Sequence, residues 1–141
     1  MSKIYKFTLG FMLAMSMLIN ISEGMFEFGN VRMVVNNTLS NGKKLVIHCK
    51  SKNRDFGPVE VESLDIYKLD ITRSFWGNTL VDCGFTFDNK VHWFDIFDQS
   101  RDSAFCYGIY CFYEVTEPRI CRYNIIEPAL VEDCFEWNRI E

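Results

Sequence analysis

Two stretches of the sequence alternate apolar and polar residues with a cysteine in the apolar phase. In Lys44–Ser51, Leu45, Ile47 and Cys49 fall on one side of an extended chain, and Val46, His48 and Lys50 on the other. In Thr79–Phe87, Val81, Cys83, Phe85 and Phe87 share a face against Asp82, Gly84 and Thr86. Successive strand side chains point to opposite faces, so a period of two marks a half-buried strand. Both cysteines are therefore predicted to face a core, where a sulfur can staple one strand to another.

The rest of the chain is consistent with an all-β fold. Val31–Asn36 is β-rich, and Asn37–Lys43 (Asn, Thr, Ser, Asn, Gly) reads as the turn of an antiparallel hairpin leading into Lys44–Ser51. Lys52–Pro58 is polar and ends in Gly57-Pro58, which predicts a loop, and Val59–Ser63 reads as an edge segment. Ile66–Arg73 alternates again. Asp88-Asn89 is a turn pair, and Lys90–Phe97 carries aromatics in both phases, as expected of a central strand covered on both sides. Asp98–Ser103 is a charged loop, Tyr110–Thr116 is a strand, Glu117-Pro118 breaks it, and Ile120–Asn124 is short and extended. From about residue 125 the period is lost, which predicts an irregular tail pinned by Cys134. No segment holds a 3.6-residue period with caps. Seven to eight short strands with turns between them predict a single disulfide-stabilised antiparallel β-sandwich.

The first 24 residues are a separate object. Lys3 and Lys6 precede an apolar run, Phe7–Ile21, and Ser22 and Gly24 have the spacing of a signal-peptidase site. The run is short for a bilayer span of roughly 20 apolar residues. A cleaved secretory signal over 1–24 is expected, leaving a mature domain of 25–141 without membrane insertion. Loss of Lys3, Lys6 and Glu23 leaves 13 Lys/Arg against 18 Asp/Glu, a formal charge of −5. The basic footprint of a nucleic-acid binder is missing. With 48% apolar and 16% aromatic residues the chain can build a core.

All six cysteines (Cys49, Cys83, Cys106, Cys111, Cys121 and Cys134) lie beyond the signal. In a small secreted chain an even count reads as a disulfide framework. The late spacings C-x4-C-x9-C do not match a zinc finger or ribbon. Asn36-Asn37-Thr38 is an N-glycosylation sequon, which predicts a surface position for Asn36; the sequon at Asn20 should leave with the signal.

Catalytic patterns are sparse. His48 and His92 are the only histidines. A two-histidine ribonuclease needs one imidazole as base and one as acid, but neither residue carries a nuclease motif around it. The chain lacks G-x-S-x-G, H-E-x-x-H and a phosphate-binding G-x-x-x-x-G-K-[ST] loop. No enzyme and no cofactor are expected.

Val31–Asn37 (VRMVVNN), Leu45–Ser51 (LVIHCKS), Phe75–Thr79 (FWGNT), Cys83–Phe85 (CGF), Trp93–Asp98 (WFDIFD), Arg101-Asp102, Cys106 with Cys111, and Cys121–Asn124 (CRYN) follow one another in an order and spacing that resembles the plant self-incompatibility S-protein family. Phe87 and Phe112 stand where that family commonly has Trp. The resemblance implies a small secreted β-sandwich without known catalysis, some members being extracellular signals recognised by a membrane receptor on incompatible pollen. The expected role is therefore a secreted, monomeric recognition ligand for a cell-surface receptor or other extracellular protein. A secreted inhibitor or defence protein is the alternative, with a hydrolase or ribonuclease behind it. Candidate recognition loops are Lys52–Pro58, Arg73–Asn78 and Asp98–Ser103, with Asn53, Arg54, Asp55, Asp98, Arg101 and Asp102 as candidate residues, since a rigid sandwich can vary its loops; Phe75-Trp76 could add aromatic contact. Cys49 is expected to bond to Cys121 or Cys111, tying the early strands to the last ones.

Overall fold

The computed structural model describes residues 29–74, 77–102, 106, 110–126 and 129–141. The expected signal peptide and Phe75-Trp76 lie outside the described residues. Among the described residues, ten strands form two five-stranded sheets: β1 (Asn30–Asn37), β2 (Leu45–Ser51), β3 (Asp55–Val61), β4 (Ile66–Thr72), β5 (Leu80–Phe87), β6 (Lys90–Asp98), β7 (Tyr110–Val115), β8 (Ile120–Ile126), β9 (Ala129–Phe135) and β10 (Arg139–Ile140). Sheet A runs β4-β1-β7-β8-β9 and sheet B runs β10-β6-β5-β2-β3. The β1–β7 pair is parallel and the other described pairs are antiparallel. The β-sandwich is as expected, with more strands than the seven to eight predicted.

The core lies between the sheets. Val31, Met33 and Val35 of β1 and Tyr113 and Val115 of β7 face Leu45, Ile47 and Cys49 of β2 and Val81, Cys83 and Phe85 of β5, and all are buried. A buried large apolar side chain contributes roughly 1.5–3 kcal/mol. The alternation in both diagnostic stretches is thus the inner face of sheet B.

Four local expectations are corrected. The first concerns β1 and β2, which are not a hairpin but lie in different sheets. The crossing is held by Asn37, whose side chain is fully buried. Its Nδ2 donates to the carbonyls of Lys43 (2.9 Å) and Val61 (3.0 Å), and its Oδ1 accepts from Leu39 N–H (3.1 Å). That network satisfies the backbone as the chain leaves sheet A, and Leu39 enters the core behind it. Second, the Lys52–Pro58 loop shortens, because β3 begins at Asp55. Pro58 is tolerated there because β3 is an edge strand. Third, the tail is not irregular: Cys134 pairs across from Cys121 in β9, and β10 closes the edge of sheet B beside Trp93 and His92. Fourth, β6 is covered on one face only; His92, Phe94 and Ile96 are buried, while Val91, Trp93 and Asp95 are half-buried. Trp93 lies over Gly84, where a Cβ would come within 3.4 Å of the indole and 3.0 Å of Val91.

The cysteines form three disulfides: Cys49–Cys83, Cys106–Cys111 and Cys121–Cys134. Cys49 does not reach Cys121 or Cys111. It lies directly across from Cys83 on the neighbouring strand, with Cα atoms 4.0 Å apart, so this staple is within sheet B. The register that pairs β2 with β5 chooses the partner.

At one pole of the sandwich Glu117, in the β7–β8 turn, accepts from Ser40 N–H (2.7 Å) and Ser40 Oγ (2.5 Å), and lies 3.4 Å from Lys43 Nζ. The Ser40 hydroxyl and amide, with Lys43 beside them, hold the Glu117 carboxyl down at about 2 from the ordinary 4.5. A depressed carboxylate contributes stability that is complete above its unfolded pKa and is lost as pH falls through the folded value. Glu117→Gln is therefore expected to lower stability at neutral pH, with the gap to the native protein shrinking between about pH 4.5 and about pH 2. Urea denaturation of both proteins across that range checks it; a gap independent of pH would contradict the role of the charge.

Candidate recognition cleft

The opposite pole carries a cleft of about 490 Å³ between the β2–β3 turn, the end of β4 and the start of β5. Ser51 N–H bonds to the Arg54 carbonyl at 2.8 Å, which closes the β2–β3 turn. Arg54 then lies over the Phe56 ring at 4.5 Å. This cation–π contact keeps a cation at the cleft wall.

The facing wall is the connection after β4. Gln99 ties its described ends together: Gln99 N–H bonds to the Thr79 carbonyl (2.9 Å), Gln99 Oε1 accepts from Thr79 N–H (3.2 Å), and Gln99 Nε2 donates to the Ser74 carbonyl (2.9 Å). Ser74 N–H in turn bonds to Thr79 Oγ1. Gln99 begins a helical turn, Gln99–Asp102, capped by Asp98, whose carboxylate accepts from Ser100 N–H (3.0 Å) and Ser100 Oγ (2.6 Å). Loops stitched in this way have little ordering entropy left to lose on binding a partner.

The cleft is basic although the protein is acidic. Among the described residues, Lys52, Arg54 and Arg73 line it with Asp70 as the one acidic group. Asp70 takes a two-point ion pair from Arg32, at 2.7 and 3.1 Å. That contact lowers its pKa and offsets its charge. The local field at the mouth is therefore positive.

The sequence-predicted residues separate here. Asn53 and Arg54 line the cleft. Asp55 turns to the outer face of sheet B, where it meets His48 Nε2 at 2.6 Å and accepts from Gly57 N–H at 2.9 Å. Those two contacts, the Gly57 amide first, hold its carboxyl below the usual range. Asp98 is the cap just described. Arg101 is half-buried and Asp102 fully buried, joined in an ion cluster. As folded, Asp102 presents nothing to a partner, because Arg101, Arg122 and the Asp98 amide occupy its carboxylate. Phe56 and Gln99 fall inside two of the candidate loops, but neither was singled out. The Asp98-Gln99-Ser100 order is an N-cap signal that could have revealed the helical turn.

The geometry also separates the histidines. His48 lies beside Gly84 on the outer face of sheet B. His92 is buried on the inner side, stacked on Phe87 with ring centres 3.8 Å apart and Nδ1 3.2 Å from the Phe85 carbonyl. Trp137 packs over it at 5.2 Å. Imidazoles on opposite faces of one sheet cannot share a substrate as acid and base. Cys121, Glu132 and Cys134 cluster closely enough to suggest metal ligands, but the two sulfurs are bonded to each other and offer no thiolate.

Residues 32–137 match the family model described as plant self-incompatibility protein S1. Among curated Arabidopsis thaliana relatives, S-protein homolog 2 is 33% identical over 121 residues, covering 84% of this chain and 74% of that protein. S-protein homolog 20 is 32% identical over 127 residues, covering 89% and 90%. S-protein homolog 19 is 33% identical over 115 residues, with 82% of each covered. These matches, which span most of the chain, identify it as a member of the plant self-incompatibility S-protein family.

Proposed function

We propose that the protein is secreted after removal of residues 1–24 and acts outside the cell, without catalysis, as a recognition ligand. The observation that carries this reading is the pole at which the β2–β3 turn and the β4–β5 connection converge, bringing Lys52, Arg54 and Arg73 to one cleft. Its partner is a cell-surface or other extracellular protein that offers an acidic surface. Opposite fields steer encounter and raise association rates, an effect that salt weakens. The rigid framework below lets loop residues vary without loss of the fold.

Labelled protein should bind intact plant cells in a saturable, salt-sensitive way. Lys52→Glu/Arg54→Glu is expected to slow association by about tenfold or more, with thermal stability little changed, because Lys52 and Arg54 are exposed. Binding that survives recoding of 52–54 and 73–78 together would sink the proposal. Capture of a soluble apoplastic protein instead of a membrane protein would favour the inhibitor or defence role.

A further inference from the structure

The outer face of sheet A has an apolar hollow that the recognition reading does not use. Strand register sets Val34 beside Phe112 and Phe112 beside Tyr123. It also sets Asn36 between Ile66 and Glu114. These residues, with Tyr113, line a shallow cavity of about 390 Å³, within the roughly 300–1,000 Å³ of small-ligand sites. Phe112 is 41% exposed and Ile66 47% exposed. Tyr110, also exposed, lies nearly parallel to Phe112 with ring centres 6.0 Å apart. Phe112, Ile66 and Tyr110 thus leave apolar surface exposed on this face.

Asn36, inside the hollow, heads the Asn36-Asn37-Thr38 sequon. Its Oδ1 is buried and has no hydrogen-bond partner. Such an orphaned acceptor requires an explanation. The hollow has a polar rim, where the Tyr123 hydroxyl donates to Glu114 at 2.8 Å. Apolar rings and a polar rim match a pyranose, which has a C–H face and hydroxyls.

We infer that the hollow is occupied by the first N-acetylglucosamine of a glycan on Asn36, seated on Phe112 and Ile66 as a built-in cover. The inference rests on the secretory reading. In that route Asn36 Nδ2 attacks C1 of a lipid-pyrophosphate-linked oligosaccharide. The N–C1 bond forms, the C1–O bond breaks, Nδ2 loses one proton, and the lipid pyrophosphate leaves with the bonding electron pair. The reaction precedes folding, because the folded strand half-buries Asn36. Folding then closes the sheet around the sugar.

The test expresses the full chain in plant cells, once with its own leader and once with an unrelated secretory leader. Retention of the own-leader product alone counts against the secretory reading and leaves the second product to decide the inference. Peptide mass spectrometry should find Asn36 occupied. After endoglycosidase trimming to one sugar, the N-acetyl methyl NMR signal should lie upfield of its free position, shifted by the aromatic ring, and Phe112→Leu should return it. Hydrophobic-dye binding should be low in the one-sugar form and rise several-fold in Asn36→Gln and in folded protein stripped by amidase. The stripped protein should melt roughly 4 °C lower. A secreted chain bare at Asn36, or a sugar with an unshifted methyl signal and no effect on dye binding, overturns the inference.

Discussion

Replacing Asp102 by Ala should cost about 3–5 kcal/mol, since breaking one partner of a buried ion pair strands the other charge. Asp102 is fully buried. Arg122 Nη1 and both Arg101 Nε (2.7 Å) and Nη2 (2.8 Å) donate to its carboxylate, as does the Asp98 amide (2.8 Å). The guanidinium groups are also held over aromatic faces: Arg101 over Phe94 and Phe135, and Arg122 over Phe135. The same charge, with burial as the larger cause, pushes the Tyr113 hydroxyl up to about 12. The cluster joins the turn after β6 in sheet B to β8 in sheet A, so its loss loosens the sheets from each other. Arg122 keeps a contact to Asp133 at 3.2 Å, which places the expected loss near the lower bound. Urea denaturation of Asp102→Ala, Arg122→Met and the double variant checks it. The double variant should lose less than the sum of the singles. A loss below about 1 kcal/mol for Asp102→Ala, the scale of an exposed pair, would contradict the role assigned to the cluster.

Removing the Cys49–Cys83 bridge should be the most costly of the three disulfide deletions. Its cysteines are 34 residues apart in sequence, against 13 for Cys121–Cys134 and 5 for Cys106–Cys111. Loop-closure entropy then assigns about 3.8, 2.9 and 2.1 kcal/mol respectively. Cys49 and Cys83 are also fully buried in the core, so paired replacement by Ala adds a cavity cost. Paired alanine variants ranked by urea midpoint measure the order, and peptide mapping of the unreduced protein measures the connectivity. A Cys49–Cys83 variant that is no less stable than the Cys106–Cys111 variant would refute the ranking.

Much of the fold was legible because strand burial is a local property. The alternation in Lys44–Ser51 and Thr79–Phe87 placed the cysteines on the core face without knowledge of any neighbour. Pairing was not legible. Asn37–Lys43 has the composition of a hairpin turn, yet Asn37 spends its amide on Lys43 and Val61, and the chain crosses to the other sheet. Asp102 has a similar history. In its loop it reads as a candidate recognition charge, and only the fold brings Arg122, twenty residues on, against it in the interior. The cleft was partly visible: the Lys52–Pro58 loop stood out by its polar composition, whereas the Gln99 bonds that tie the connection after β4 did not.

The sequence by itself determined the class of the molecule: a disulfide-bonded β-sandwich of a recognisable family, its core faces set by period-two alternation and its family by motifs carried in order along the chain. The tertiary structure alone decided which strands meet. It set β1 parallel to β7, Cys49 against Cys83, and Lys52, Arg54 and Arg73 around one cleft. The reason is that alternation reports which way a side chain points, while register and sheet order depend on contacts between residues far apart in the chain, which leave no local signature.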